Sequence, residues 1–208
     1  SWKQRFPDAI VKQLDDAVRM ASAFKDAELP LQDTADGLKA AYGEVRTVRA
    51  ALRRAEFDDG KILAALKTCG YSADAVASTF DASSDDEIGR VAETLGALKY
   101  PPGEIGEVLR TRYNKSAVDA AGLMRQKSFS APSAGVVLRD VYKADAGAAA
   151  ATLHTVGFNA MQVVSALQGE YGQDANAAVV LLQTEQFSLP DIAKALRDLL
   201  KRKIPVKL

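Results

Sequence analysis

The sequence predicts an all-α protein: a superhelical solenoid of about five 29-residue, two-helix repeats, preceded by an N-terminal helical pair. The first observation is an aromatic column in which every step is 29 residues: Tyr71, Tyr100, Phe129, Phe158 and Phe187. The second is a set of apolar columns in the same register: Phe80, Leu109, Leu138, Leu167 and Leu196, and also Leu66, Leu95, Met124, Leu153 and Leu182. The third is that each interval carries helix-capping residues at fixed places, and internal repeats of this length are typical of solenoids.

The first helix of each repeat is predicted to begin directly after the aromatic residue. The position that follows the aromatic column holds Ser72, Pro101, Ser130, Asn159 and Ser188. Ser and Asn are favoured N-caps, because their side-chain oxygens accept a bond from a free backbone N–H. Apolar residues then recur at i, i+4 and i+8, as at Val163, Leu167 and Tyr171. This spacing predicts an amphipathic helix of about three turns.

The second helix of each repeat is predicted to begin after a polar break, at Ser116, Asp145 or Asp174. One side of this helix is rich in alanine, and a Leu or Met stands near its end. Small residues let helix axes approach closely, and the large residues fill the remaining space. Each repeat is therefore a helical hairpin that buries its apolar face by stacking on its neighbours.

Residues 1–54 are predicted to form an N-terminal helical cap. One helix is expected to start near Asp8, and a second to run from about Thr34 towards Leu52. Residues 55–208 are predicted to form the repeat array. Its full repeats start near Tyr71, Tyr100, Phe129 and Phe158, and its partial last repeat starts at Phe187.

The last repeat is predicted to have only its first helix, over residues 190–200. Pro205 would break a second helix, because proline lacks the backbone N–H and clashes with the preceding turn. Residues 201–208 are therefore interpreted as a tail or as the start of a further element.

The charge balance argues against a surface dedicated to nucleic acid or to a membrane. Lys and Arg together number 27, as do Asp and Glu, so the formal net charge is zero. No segment has enough consecutive apolar residues to cross a bilayer, so membrane insertion is not expected. No signal peptide is visible, but the chain begins at Ser1 and not at Met, which leaves a processed or truncated N-terminus open and the compartment undetermined.

The residues that carry chemistry in enzymes are scarce, and we expect neither catalysis nor a cofactor. Cys69 is the only cysteine and His154 the only histidine, so zinc sites and Cys–His nucleophiles are not available. No phosphate-binding or dinucleotide-binding glycine pattern occurs. The acidic run 81–87 has some EF-hand character, but it lacks the central Gly and has Ala92 at the twelfth place, so we interpret it as an inter-helix loop without a metal.

Recognition of a protein partner along an extended face is the function that the pattern favours. In such arrays the apolar columns stay constant, while the exposed polar positions change between repeats and can provide specificity. The changing positions on the second helices are Arg90, Glu93, Arg125, Gln126, His154, Thr155 and Gln183.

An arginine column on the first helices supports an alternative, a nucleic-acid-binding repeat. Arg110, Arg139 and Arg197 stand at equivalent places, and a row of arginines can contact phosphates. The competing interpretation is that each arginine pairs with a neighbouring acid, such as Asp140 or Asp198.

The segment FNAMQVVSAL, which begins at Phe158, resembles the first helix of the DNA-binding repeats of TAL effectors. That resemblance implies a helical repeat that can bind DNA. Repeats in that family are longer, and a Gly-containing loop approaches the bases. In this chain Tyr113, Tyr142 and Tyr171 occupy the corresponding place, so the base-reading role is not carried over.

A second resemblance is to the ubiquitin-associated domain. Val156-Gly157-Phe158, Ala166-Leu167, Asp174, Ala177 and Leu181-Leu182 look like its Met-Gly-Phe loop, its Ala-Leu pair and its closing helix. The resemblance implies a small protein-binding domain whose exposed loop contacts ubiquitin. The regular aromatic column of this chain predicts instead that these rings are buried between repeats.

Overall fold

The computed structural model describes residues 8–203 of the chain, and it describes side chains between residues 11 and 198. Over this range the protein is all-α, with thirteen α-helices and no β-strand. The chain divides into two compact units, residues 1–81 and residues 82–208. The predicted all-α class is confirmed, and the predicted boundary at residue 54 lies inside the first compact unit.

The described part of the first compact unit contains five helices, which pack on nearest and next-nearest neighbours in the chain. They are α1 (Asp8–Asp26), α2 (Leu31–Tyr42), α3 (Val45–Arg54), α4 (Asp59–Thr68) and α5 (Ala73–Ala77). Helix α1 packs against α2 and α3, α2 packs against α3 and α4, and α4 contacts α5.

The predicted continuous helix from Thr34 towards Leu52 is wrong. Helix α2 ends at Tyr42, because Gly43 takes a left-handed conformation with φ +71° and its N–H bonds to the Lys39 carbonyl. The chain then turns, and Glu44 becomes the N-cap residue of α3. Three helices, and not a pair, therefore precede residue 55.

The second compact unit contains eight helices in two rows. They are α6 (Asp85–Ala97), α7 (Pro102–Glu107), α8 (Ala117–Gln126), α9 (Ala131–Asp140), α10 (Ala146–Thr155), α11 (Ala160–Tyr171), α12 (Ala175–Thr184) and α13 (Leu189–Lys203). In one row α7 packs against α9, α9 against α11, and α11 against α13. In the other row α6 packs against α8, α8 against α10, and α10 against α12. This packing is consistent with a helical repeat.

Helix starts follow the capping residues that the sequence predicts. The side-chain oxygens of Ser130 and Asn159 accept bonds from the N–H groups three residues later, at 3.2 and 3.0 Å, and so begin α9 and α11. Asp145 and Asp174 begin α10 and α12 in the same way, each at 2.8 Å. Pro101, which has no side-chain donor or acceptor, begins α7 without such a bond. The predicted caps are therefore confirmed where the residue can accept a bond.

Helix ends share one geometry ahead of every residue of the aromatic column. The preceding residue has a positive φ in all five cases, at Gly70, Lys99, Ser128, Gly157 and Gln186. The aromatic N–H then donates to the carbonyl five residues earlier, as from Phe158 to Leu153 at 3.0 Å. This is the bond pattern of a Schellman cap. The Gly–aromatic pair is thus one version of a helix end that all five positions share.

The apolar columns form the cores. The column on the second helices is fully buried: Leu66, Leu95, Met124, Leu153 and Leu182. Helices α7 and α9 approach so closely that a Cβ at Gly106 would lie 2.6 Å from Cγ1 of Val137. Helix α7 is short and continues as one π-helical turn, Val108–Arg112.

Helix α13 extends over Leu189–Lys203, a little further than the predicted 190–200, and the predicted effect of Pro205 lies outside the described residues. Among the helices that the structure describes, none is long and apolar enough to cross a membrane.

Candidate functional site

The predicted recognition positions all lie on the row formed by α6, α8, α10 and α12. All but one of them are exposed: Arg90, Glu93, Arg125, Gln126, Thr155 and Gln183. His154 is half-buried. The side-by-side packing of these helices therefore brings the predicted positions onto one row of elements.

The beginning of this row carries a charged network. On α6 the Arg90 guanidinium donates to the Asp86 carboxylate one turn earlier. Lys127, at the end of α8, donates to the other oxygen of Asp86 at 2.9 Å. The hydrogen bond from Lys127 and, to a lesser extent, the one from Arg90 lower the pKa of Asp86 below its usual range. Asp86 therefore stays ionised and connects two neighbouring helices of the row.

Arg125 and His154 each contact a member of the aromatic column, and in both cases it is the second member that follows them along the chain. The Arg125 guanidinium lies 5.9 Å from the centre of the Phe158 ring. The His154 imidazole lies 4.0 Å from the Phe187 ring, with 32° between the ring planes. Both partners stand 33 residues further along the chain (158 − 125 = 187 − 154 = 33). These two residues therefore contact aromatic residues further along the chain, and they also lie on the row formed by α6, α8, α10 and α12.

Gly96 occupies the place equivalent to Arg125 and His154. A Cβ atom on Gly96 would lie 2.8 Å from Cζ of Phe129. The Phe129 ring therefore occupies space that a side chain at this position, such as those of Arg125 and His154, would need. Phe158 is 3% exposed and Tyr100 is 7% exposed, while Phe129 is half-buried. The predicted burial of the aromatic column is thus complete for some members and partial for others.

The exposed side chains of the row change from charged on α6 to uncharged on α10 and α12. Helix α6 exposes Arg90 and Glu93, whereas α10 exposes Ala148 and Thr155. On α12 the Val180 side chain is 60% exposed. The end of the row therefore exposes uncharged side chains, with Val180 together with Asn176, Gln183 and Thr184.

The arginine column is largely engaged within the protein. Arg110 pairs with Glu107 at 2.7 Å. Arg139 pairs with Asp140 at 2.8 Å and with Glu170 at 3.2 Å, as the competing interpretation predicted for Asp140. Arg197 is exposed, and within the described residues it forms no ion pair, so the suggested pair with Asp198 is not made.

Sequence reasoning missed a second cluster of arginines, in the first compact unit. Arg46, Arg49 and Arg53 lie on α3 and line a cavity of about 160 Å³ together with Thr79. Their i, i+3, i+7 spacing places them on one face of a helix. That spacing was visible in the sequence. The burial of Arg49, which is only 6% exposed, could not be seen there.

Cys69 lies in a polar pocket of the first compact unit. The Gln32 amide donates to the Sγ atom at 3.2 Å, and Lys39 donates to the Cys69 backbone carbonyl. Burial, reinforced by a hydrogen bond to the Asp36 carboxylate, raises the pKa of the Cys69 thiol from 9.0 to about 11. The reactive species of a cysteine is the thiolate, so this thiol is poorly suited to nucleophilic chemistry.

We expect Cys69 to react slowly with iodoacetamide. A pKa that is higher by two units (11 − 9 = 2) leaves about 100-fold less thiolate at pH 8 than an ordinary thiol has. Asp36→Asn should speed alkylation, because it removes the negative charge that disfavours the thiolate. Asp33→Asn, an exposed change in the same helix, should have no effect. Alkylation of the wild type at the rate of a free thiol, measured by mass spectrometry, would contradict this assignment.

No group of three or more His, Cys, Asp and Glu side chains in the described part of the chain is placed to hold a metal ion. The chain matches no known protein-family profile, no curated protein and no solved structure.

Proposed function

We propose that the chain is a non-catalytic helical-repeat module that recognises a protein partner along the row of second helices, α6, α8, α10 and α12. In this proposal the hairpins form a solenoid, in which each 29-residue repeat contacts its neighbours. The successive packing within the two rows of helices supports that architecture, and so do the caps that recur at the repeat interval.

One observation carries the proposal: adjacent helices of one row share buried residues but differ in exposed ones. Leu95, Met124 and Leu153 are fully buried at equivalent places. The exposed residues between them change from charged on α6 to uncharged on α10 and α12, where Ala148 and Val180 stand together with Thr155 and Gln183. Protein interfaces combine apolar and polar contacts, and the exposed positions of this row include Val118 and Val180 as well as polar residues.

A protein partner is favoured over nucleic acid by the state of the arginine column. A phosphate would compete with Glu107 for Arg110, and with Asp140 and Glu170 for Arg139. Arg197, which is exposed and outside such pairs among the described residues, is the member that best supports the alternative. The TAL-effector-like alternative therefore rests on one arginine.

The ubiquitin-associated-like alternative belongs to the same class of function as the favoured proposal, since it also concerns a protein binder. Its loop would have to present Phe158, which is 3% exposed. A partner that binds the row of α6, α8, α10 and α12 does not need this ring.

The experiment is affinity capture from a lysate of the source cells, run with and without nuclease, using the full chain and two variants. The first variant combines Glu93→Ala, Gln126→Ala and Gln183→Ala, which are exposed positions on three helices of the row. The second is Val180→Asp, which places a charge at the exposed apolar position of α12. We expect each variant to retain about tenfold less of the protein partner, since central interface residues cost more than about 1 kcal/mol.

The matched control combines Thr111→Ala and Lys194→Ala, two exposed positions on the other row. It should capture the partner as well as the wild type does. A partner retained equally by all variants would overturn the proposed face. Recovery of nucleic acid that disappears at higher salt, and with Arg197→Ala, would favour the alternative.

A further inference from the structure

The arginine cavity lies in the first compact unit, and nothing in the proposed function uses it. It is lined by Arg46, Arg49, Ala50, Arg53, Thr79 and Asp81 and has a volume of about 160 Å³. One water occupies about 30 Å³ in the liquid, so the cavity has room for about five non-hydrogen atoms. A phosphate group, with one phosphorus and four oxygens, is of that size.

Arg49 is the fixed element of the cavity. Its Nε and Nη2 atoms donate to the Asp59 carboxylate at 3.4 and 2.9 Å. Its Nη1 atom donates to the Thr79 carbonyl at 3.1 Å and to the Thr79 hydroxyl at 2.5 Å. The guanidinium also lies 4.2 Å from the centre of the Phe80 ring. These contacts hold the guanidinium in one orientation before any ligand arrives.

A fixed guanidinium still has one donor to offer. Arginine has five N–H groups, and the bonds to Asp59 and Thr79 use four of them (5 − 4 = 1). The remaining N–H belongs to Nη2. A pre-oriented donor binds an anion at a lower entropic cost than a mobile side chain does.

Arg46 and Arg53 provide the adaptable donors. Both are exposed at the cavity, three residues before and four residues after Arg49. Arg53 approaches Asp59 through Nε at 3.6 Å, beyond hydrogen-bond distance. Arg46 forms no ion pair with any residue that the structure describes. Both guanidinium groups can therefore turn their terminal N–H groups towards a ligand.

The cluster keeps a net positive charge after its internal pairs are counted. Three arginines face the carboxylates of Asp59 and Asp81, which leaves one positive charge (3 − 2 = +1). A phosphate monoester carries roughly −1.5 to −2 charges at neutral pH and has three acceptor oxygens. Arginine clusters pair with such groups through two parallel N–H···O bonds.

We propose that this cavity binds a phosphate monoester group, with Arg49 as the fixed donor and Arg46 and Arg53 as closing donors. The source of the group is either a free phosphate compound or a phosphorylated side chain of a protein. A nucleic-acid backbone is disfavoured, because the cavity holds one phosphate, and a backbone would need a row of such positions.

The test titrates the full chain with inorganic phosphate, at constant ionic strength, while the arginine Nε–H signals are followed by NMR. A second arm uses a phosphoserine peptide, the same peptide with serine, and the same peptide with glutamate. We expect millimolar phosphate and the phosphoserine peptide to shift the Arg49 signal. Phosphate alone would identify a small-molecule ligand, and tighter binding of the phosphopeptide would identify a modified protein.

Arg46→Gln should weaken phosphate binding about tenfold or more, since it removes a charge-assisted hydrogen bond from an exposed side chain without disturbing Arg49. The control is Arg54→Gln, also on α3, which pairs with Asp15 at 3.7 Å and does not line the cavity. An unshifted Arg49 signal, or equal binding by the glutamate peptide, would overturn the proposal. So would an equal loss in both variants, or tighter binding of a single-stranded oligonucleotide.

Discussion

Leu153→Ala is expected to lower the free energy of unfolding of the second compact unit by about 2–5 kcal/mol. Leu153 is 0% exposed on α10, and α10 packs against α8, α9, α11 and α12. Removing most of its side chain therefore leaves a cavity among several helices, which can collapse only in part. Urea unfolding, followed by circular dichroism, measures the loss.

Thr155→Ala is the matched control, since this residue is exposed on the same helix and should change stability by less than about 0.5 kcal/mol. Hydrogen exchange adds a test of the repeat architecture. In a solenoid each repeat depends on its neighbours, so amides of α8 and α12 should lose more protection than those of α6. A loss confined to α10, or no difference from Thr155→Ala, would contradict the packing.

The parts of the fold that could be predicted depend on local chemistry. Ser130, Asn159, Asp145 and Asp174 begin helices, because a short polar side chain satisfies a nearby backbone N–H in any surrounding. The buried columns could be predicted because a helix places every third or fourth residue on one face. Both rules need only neighbouring residues, so one sequence is enough.

The break between α2 and α3 could not be predicted from periodicity. Leu38, Tyr42 and Val45 continue a helical spacing through the break, and Val45 is buried within α3. The chain turns at Gly43, whose left-handed φ costs little without a Cβ. The conformation of one glycine thus produces two short helices where the apolar pattern alone fits one long helix equally well.

The side-chain contacts of the candidate recognition residues also could not be predicted from the sequence. His154 stands in a polar, variable column, and surface exposure was the simple expectation. Its contact with Phe187 depends on how far α10 lies from the start of α13, a tertiary quantity. Arg125 on Phe158 follows the same 33-residue offset. An offset that differs from the 29-residue period is invisible to a search for columns.

Arg49→Met is expected to destabilise the first compact unit by about 2–4 kcal/mol. The Arg49 side chain is 7% exposed and connects α3 to Asp59 at the start of α4 and to Thr79 after α5. Methionine keeps much of the apolar stem, but it leaves the Thr79 groups without their donor. Asp59 is 47% exposed, so water can hydrate its carboxylate once Arg49 is removed. The expected loss in free energy of unfolding is therefore smaller than for a fully buried ion pair.

Arg54→Met is the matched control, because it removes the same charge from the same helix at an exposed pair with Asp15. An exposed ion pair contributes no more than about 1 kcal/mol, so this variant should remain close to the wild type in urea unfolding. Arg49→Lys should lie between them, since an ammonium can donate to Asp59 but cannot reach Thr79 with the same planar group. If Arg49→Met were no less stable than Arg54→Met, Arg49 would not hold the unit together, and the pre-oriented donor of the cavity would lose its basis.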